Sequence, residues 1–246
     1  VTSNWGDGSY NRSERYLAAV AYLDGVRPSV LMCRGYYTNA YIAAYTWDGT
    51  NLTEQWLYSG ERSSSTTRYA DGSTATSDIT LYGQGNHNLS VADIDDDGCD
   101  ELIYGAAALD HDGTPIYNKG WGHGDATHVG DFDGDGRLEV FTPHEDNPAI
   151  SLRDAKSGTT IFRDTSPSGD VGRGIIGNYG STYKYIMWSS ATTYGAVDNG
   201  DGTYEYVEIP TTNGTFSNGT TANFNIYWDG DLYREELDGT RMLKWN

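Results

Sequence analysis

Asp93-Ile-Asp95-Asp-Asp97-Gly98-Cys-Asp-Glu101 and, thirty-eight residues further on, Asp131-Phe-Asp133-Gly-Asp135-Gly136-Arg-Leu-Glu139 are two copies of one acidic loop. Each has carboxylates at loop positions 1, 3, 5 and 9 and a Gly at position 6, where a sharp turn is needed. Hard oxygen donors at that density suit Ca²⁺, which gathers about six to eight oxygens in flexible geometry. An EF-hand takes its last ligand further along and needs flanking helices, which this sequence does not offer. The residues expected at the ion are Asp93, Asp95, Asp97, Cys99 and Glu101 in the first loop and Asp131, Asp133, Asp135, Arg137 and Glu139 in the second, with Cys99 and Arg137 standing at position 7.

The segments downstream of the two loops repeat as well. Glu101-Leu-Ile-Tyr104 and Glu139-Val-Phe-Thr142 read as short strands, and hairpins come next at Leu109–Tyr117 and Leu152–Phe162. Asp-Gly between apolar residues is a hairpin signal because a type I′ turn needs positive φ at both central positions. The same signal recurs at Trp47-Asp48-Gly49 and Trp228-Asp229-Gly230. Degenerate copies lie at Leu17–Gly25 with Ser29–Met32, and at Gly174–Gly180, where Asn178 alone is left of the acidic set. A period of about forty residues built from short strands is the mark of propellers and related arrays, whose units must stack to bury their faces. The expectation is an all-β chain, one β-propeller domain over residues 1–246, with roughly five units. Ser63–Thr67 and Asn213–Thr221 read as long polar loops.

Bulk properties narrow the function. The chain of 246 residues carries a formal charge of −19, from 16 Lys and Arg against 35 Asp and Glu. That balance argues against nucleic-acid binding, which needs a positive footprint. A polyanionic ligand would be repelled unless bound divalent cations reversed the local field. Two cysteines, Cys33 and Cys99, make neither a disulfide scaffold nor a zinc site. No apolar run is long enough for a membrane-spanning helix. Residues 1–10 do not read as a signal peptide, so a leader was either removed or never present. Calcium loops favour the extracellular space, where the ion is plentiful, so a secreted protein is expected; a monomer is expected as well. Asn-x-Ser/Thr sequons begin at Asn11, Asn51, Asn88, Asn213 and Asn218.

In a propeller the first strand of each blade lines a central channel, and the residues before it ring one mouth. Counting back from the acidic loops finds His87, His123 with Asp125, Arg173 and Asn223 at equivalent places in four units. A lone His in a Gly-rich turn is usually a loop residue; two at matching depth in adjacent units point to a shared metal or sugar. Imidazole is an unusual partner for Ca²⁺, so Asp125 and Glu145 are expected to complete any metal site there. Arg34, Asn86 and Asn223 are candidates for substrate contact. His128, mid-strand, is expected to pack between units, His111 to sit in a solvated hairpin turn, and His144 to lie near the site or apart from it.

Ala21–Ser29, Met32-Cys-Arg-Gly-Tyr-Tyr37, Gly83–Asp93, Gly122-His-Gly-Asp125, His144-Glu-Asp146, Gly169–Gly174 and Trp228–Leu232 occur in an order that resembles the family 11 polysaccharide lyases. The resemblance runs over nearly the whole chain. It implies a secreted bacterial rhamnogalacturonan lyase with an eight-bladed propeller carrying several Ca²⁺ ions, of which this chain covers the central part. It also implies active-site roles for His87 and His123 and a substrate-gripping role for Arg173. The family's substrate, the pectic polymer rhamnogalacturonan I, alternates rhamnose and galacturonate and is cut by β-elimination at O4 of galacturonate. Loss of the C5 proton beside a carboxylate requires that carboxylate to be neutralised, which is the work of Ca²⁺ and Arg. Two departures stand out: the chain stops at Asn246, short of the family's later Asn-Gly-Thr-Lys segment, and Asn178 replaces an Asp-x-Asp element. The competing reading is a non-catalytic, calcium-stabilised propeller that binds carbohydrate or protein; the ordered His, His and Arg favour the enzyme.

Overall fold

The computed structural model describes residue 12, residues 15–145, 149–165, 171, 173–178, 183–189 and 192–209, and the backbone of 212–215 and 221–224. Every named element is a strand. Six form the first antiparallel sheet: β1 (Tyr16–Ala21), β2 (Ser29–Arg34), β3 (Ala40–Trp47), β4 (Leu52–Gly60), β5 (Ser65–Tyr69) and β6 (Thr74–Ser77). The second holds β7 (Ser90–Ala92), β8 (Glu101–Tyr104), β9 (Ala107–Leu109) and β10 (Pro115–Asn118), and the third β11 (His128–Gly130), β12 (Glu139–Pro143), β13 (Ile150–Asp154) and β14 (Thr160–Asp164). A fourth has β15 (Gly174–Gly177), β16 (Ile186–Ser189), β17 (Thr193–Asp198) and β18 (Tyr204–Glu208), and β19 (Thr212–Thr215) pairs with β20 (Thr221–Phe224). All pairings between neighbouring strands are antiparallel, and each sheet runs in sequence order from one edge to the other without closing on itself.

Two expected loops are strands instead. Ser65–Tyr69 is β5, because Ser65 and Thr67 turn inward and Thr67 Oγ1 donates 2.6 Å to Gly113 O across the sheet gap. Asn213–Thr215 lies in β19 and Thr221 in β20, paired with each other through Asn213 and Asn223. The Trp228-Asp229-Gly230 hairpin falls outside the described residues.

Alternation sets the cores. Along β3, Ala40, Ile42 and Ala44 are buried while Tyr41, Ala43 and Tyr45 are half-covered, the period of a strand with unequal faces. β8 and β12 are buried throughout, since each has a neighbouring sheet on both sides. Leu102 and Tyr104 join Ile42, Trp56 and Tyr58 of the first sheet in one core. Ile103, one residue away and on the opposite face, joins Val140 and Ala155 in another, and Phe141 joins Ile176, Tyr185 and Met187 in a third. The cores therefore lie between consecutive sheets. β7 lies against β1 and β11, so the entering strands of the first three sheets come together, and β15, which enters the fourth, lies against β12.

One cross-tie has no counterpart in the strand pattern. Arg153 is wholly buried, donates 3.1 Å to Thr142 Oγ1 and to Gly105 O, and lies 5.8 Å from the Tyr117 ring. It fastens the third sheet to the β8–β9 turn of the second. Among the described residues, no helix is long and apolar enough to cross a membrane.

Candidate functional site

The acidic loops join β7 to β8 and β11 to β12, and they fold alike. Asp93 accepts from Asp97 N and Gly98 N; Asp131 accepts from Gly134 N, Asp135 N and Gly136 N. At position 9, Glu101 Oε2 takes Ile94 N at 2.8 Å and Glu139 Oε2 takes Phe132 N at 2.9 Å. Position 6 is left-handed in both, φ 91° at Gly98 and 89° at Gly136, which is why Gly is needed there. Position 4 is left-handed as well, filled by Gly134 in one loop and by Asp96, at φ 65°, in the other.

Asp93, Asp95 and Glu101 bring carboxylate oxygens within 4.8 Å of one another, and so do Asp131, Asp133 and Glu139. Burial and the surrounding carboxylates push Glu101 and Glu139 up to about 7. Asp95 Oδ1 and Glu101 Oε1 are buried with no hydrogen-bond partner. Converging, repelling, unsatisfied oxygens fit a hard divalent cation. Asp97 and Asp135 spend one oxygen each on the amides of Cys99 and Arg137. The Cys99 thiol, pushed to about 11 by burial and by Asp97, stays protonated. Both cysteines are free. His111 is not a solvated turn residue: its Nδ1 lies 2.8 Å from Asp110, 3.3 Å from Asp97 and 3.7 Å from Glu101, against the first loop.

At the other end of these strands, the segments entering the second and third sheets meet. Gly124 bridges Asn86 on one side and His144 on the other. A Cβ on Gly124 would stand 2.5 Å from Pro143 O, so this close approach needs glycine. The bridge brings His87, His123, Asp125 and Glu145 together. His123 is buried, and its Nδ1–H donates to Gly85 O at 2.5 Å, which leaves Nε2 as a lone pair. That Nε2 lies 3.1 Å from Glu145 Oε1 without hydrogen-bond geometry. Burial holds the His123 imidazole below its usual range and therefore neutral. His87 Nε2 is 3.4 Å from Asp125 Oδ1 and 3.5 Å from Glu145 Oε1, while its Nδ1 faces the Tyr36 hydroxyl at 3.4 Å. The two imidazoles are edge to face with centroids 4.7 Å apart, and the Tyr36 ring stacks on His123 at 5.0 Å. The His123 Nε2 lone pair faces the Glu145 carboxylate, a repulsive contact that a cation between them would relieve, and the donor atoms of His87, His123 and Glu145 lie within 4.8 Å of one another, a grouping that fits a metal ion.

Arg173 stands alongside, its Nη1 donating 2.8 Å to Asp125 O and lying 3.8 Å from Asp125 Oδ1, with most of its side chain in solvent. The structure thus gathers His87, His123, Asp125, Glu145 and Arg173. It does not bring Asn86 or Arg34 to the same surface. Asn86 is fully buried and donates 2.7 Å to Ala126 O and 2.8 Å to Thr127 Oγ1, so it builds the wall behind the site. Arg34 is buried in the first sheet, within electrostatic reach of the Tyr104 phenol. Of Asn223 only the backbone is described, in β20. His128 spans two sheets as expected, its Nε2 at 2.8 Å from Gly174 O. His144 lies behind Glu145, fully buried against Ser151 Oγ at 2.9 Å, and burial with Arg153 and Arg163 lowers it to about 3. Tyr36 and Tyr37 are members of the site that the spacing of motifs does not reveal. Their adjacency to His123 arises from the turn after β2, for which the strand pattern has no signal.

Residues 1–246 match the family described as rhamnogalacturonan lyase family 11, C-terminal domain. The chain is 41% identical to the rhamnogalacturonan endolyase YesW of Bacillus subtilis (strain 168) over 99% of its length, and 43% identical to the rhamnogalacturonan exolyase YesX of that strain over 96%. It spans 36% of the length of each of these relatives. Among solved structures it is similar to the Bacillus licheniformis rhamnogalacturonan lyase PL11, with a TM-score of 0.69 and 36% identity over 90% of this chain and 40% of that one.

Proposed function

This chain belongs to rhamnogalacturonan lyase family 11, and from that premise we propose that it forms part of a secreted, monomeric, calcium-dependent lyase that cuts the rhamnose–galacturonate backbone of pectin. The sheets are taken as blades of a β-propeller, and the two acidic loops as Ca²⁺ sites that hold blades together. The observation that carries the reading is the meeting of His87 Nε2, His123 Nε2 and Glu145 Oε1, with Arg173 beside them.

His87, His123, Asp125 and Glu145 would hold a Ca²⁺ ion. Such an ion supplies positive charge that neutralises the galacturonate carboxylate and so eases loss of the C5 proton. Gly85 O fixes the His123 tautomer and keeps Nε2 turned to the ion rather than to a proton. Asp125 anchors Arg173 through its carbonyl and leaves the rest of the guanidinium fork for a uronate carboxylate. In the elimination a base takes the C5 proton, the C5–H electron pair becomes a C4=C5 double bond, and the C4–O bond breaks, releasing the rhamnosyl oxygen and leaving an unsaturated uronate.

The test is the full-length protein with rhamnogalacturonan and calcium, monitored by ultraviolet absorbance of the unsaturated product. A rise that chelator abolishes is expected; binding with no rise would favour the non-catalytic propeller. Arg173→Lys should lower kcat/KM at least tenfold with calcium content and melting temperature unchanged, since Lys cannot reproduce a two-point grip. An active Arg173→Lys protein would remove Arg173 from the mechanism.

A further inference from the structure

At the end of the second sheet away from His87 and His123, the first acidic loop meets the β9–β10 turn, and the donors gathered there are not oxygen alone. His111 Nδ1 is buried without a hydrogen-bond partner, 3.3 Å from Asp97 Oδ2 and 3.7 Å from Glu101 Oε1. Asp97, Cys99 and His111 bring one donor atom each within 4.8 Å of one another, and so do Glu101, Asp110 and His111. We propose that His111, Cys99 and Asp97, with Glu101 closing the fourth position, bind a transition-metal ion of the zinc class. The site lies beside the Asp93, Asp95 and Glu101 oxygens taken above as a Ca²⁺ site, and it does not depend on the lyase reading.

Donor chemistry is the first argument. Oxygen alone suits Ca²⁺, whereas imidazole and sulfur suit zinc and its neighbours in the transition series. The second loop is an internal control. It has Arg137 where the first has Cys99. Ile103 pairs with Ala108 and Phe141 with Leu152, and three residues beyond those partners stand His111 in one turn and Ala155 in the other. The donors grouped at the second loop are accordingly the carboxylates of Asp131, Asp133 and Glu139. A loop built for Ca²⁺ needs neither a thiol nor an imidazole, and the first loop has gained both at one point. No Cys–His spacing in the sequence announces the pair; the β9–β10 turn brings His111 to the loop.

Geometry is the second argument. The Glu101 side chain is 1% exposed; Oε2 takes Ile94 N, and Oε1 has no hydrogen-bond partner. Asp97 spends Oδ1 on Cys99 N and turns Oδ2 to His111. A proton on His111 Nδ1 serves one carboxylate at most, and even Asp110 Oδ1, at 2.8 Å, stands off its direction. Glu101 Oε1 would then stay unmet in the interior, whereas a metal ion answers several donors at once. Around four-coordinate zinc, with bonds of about 2.0–2.3 Å, ligand atoms stand about 3.3–3.8 Å apart. His111 Nδ1 has that spacing from both Asp97 and Glu101. On binding, the Cys99 S–H proton passes to solvent and the sulfur pair goes to the metal, because a coordinating thiol is deprotonated outright. The turn is held ready: Trp56 Nε1 donates 2.9 Å to His111 O, and Thr67 Oγ1 donates to Gly113 O. The ion therefore ties the acidic loop to a turn already anchored on the first sheet.

The test uses the full-length protein, stripped of metal, held in excess Ca²⁺ and titrated with Co²⁺, which takes the ligands of Zn²⁺ and reports them by absorbance. A near-ultraviolet band from a sulfur–cobalt bond should appear, and Zn²⁺ should displace it. That band distinguishes this site from the His87–His123 cluster, which offers no thiol. Cys99→Ser should abolish it, and His111→Ala should raise the Co²⁺ concentration needed for it at least about tenfold. Asp131→Asn, in the second loop, should leave it unchanged. Alkylation of Cys99, followed by mass spectrometry of its peptide, gives a readout that needs no variant: Zn²⁺ in excess Ca²⁺ should slow it, and further Ca²⁺ should not. No sulfur–cobalt band in excess Ca²⁺, the same band in Cys99→Ser, full-strength binding by His111→Ala, or alkylation indifferent to Zn²⁺ would each overturn the site.

Discussion

Asn86 and His123 show how two polar residues of one region divide the work. The loops before β7 and β11 place both near the meeting point of two sheets, but only His123 turns a lone pair outward, because its other nitrogen is spent on Gly85 O. Asn86 turns inward and supplies the donors that Ala126 O and Thr127 Oγ1 need. Asn86→Ala leaves those acceptors buried and unmet, so it should cost about 1–3 kcal/mol of stability. Melting temperature is the measurement: a large drop in thermal stability is expected, and a change confined to KM would return Asn86 to the substrate.

At the scale of elements, the acidic loops are turns with demanding backbone geometry. Each has left-handed residues at positions 4 and 6, and each closes on a Glu whose second oxygen caps the amide next to the first Asp. Gly136→Ala should therefore destabilise by about 1 kcal/mol from backbone strain, with nothing within 4 Å for the new methyl to strike. Arg153 works between elements rather than within one. Arg153→Ala removes the donor to Gly105 O and opens a cavity behind Tyr117, so it should cost about 2–4 kcal/mol, read as a fall in the denaturant midpoint. A change below about 0.5 kcal/mol would mean that the second and third sheets hold together without it.

For the molecule as a whole, the clustered carboxylates make stability depend on pH and, under the calcium sites proposed above, on metal as well. With calcium removed, Glu101 and Glu139 titrate near 7 in the folded chain against an ordinary value of 4.5. A raised carboxylate pKa means that the folded state holds its proton more tightly. Its contribution is complete below 4.5 and is lost as pH climbs through about 7. The chelated protein should melt at progressively lower temperature between about pH 5 and pH 8. Calcium needs the ionised forms, so the gap between calcium-loaded and chelated melting curves should widen over the same window. A gap that stays constant with pH would show that these two glutamates bind no ion.

Local chemistry on consecutive residues is legible in the sequence by itself. The two loops, their glycines, the strands Glu101–Tyr104 and Glu139–Thr142 and the hairpins at Gly49 and Gly113 each depend on spacing within a dozen residues, where backbone geometry decides the outcome. Register counting also brings His87, His123, Asp125 and Arg173 to one end of the sheets, because equivalent positions in a repeat occupy equivalent places. Which side chains face that end, and which turn inward, is decided by tertiary packing. Asn86 and Arg34 carry groups as suited to sugar as His123 does, but neighbouring sheets bury them; Ser65–Thr67 reads as loop until Gly113 O of the next sheet offers it a partner. Such choices rest on partners some 40 residues or more away, as with Asn86 and Ala126, and a local pattern carries no record of which distant neighbour will satisfy a buried polar group.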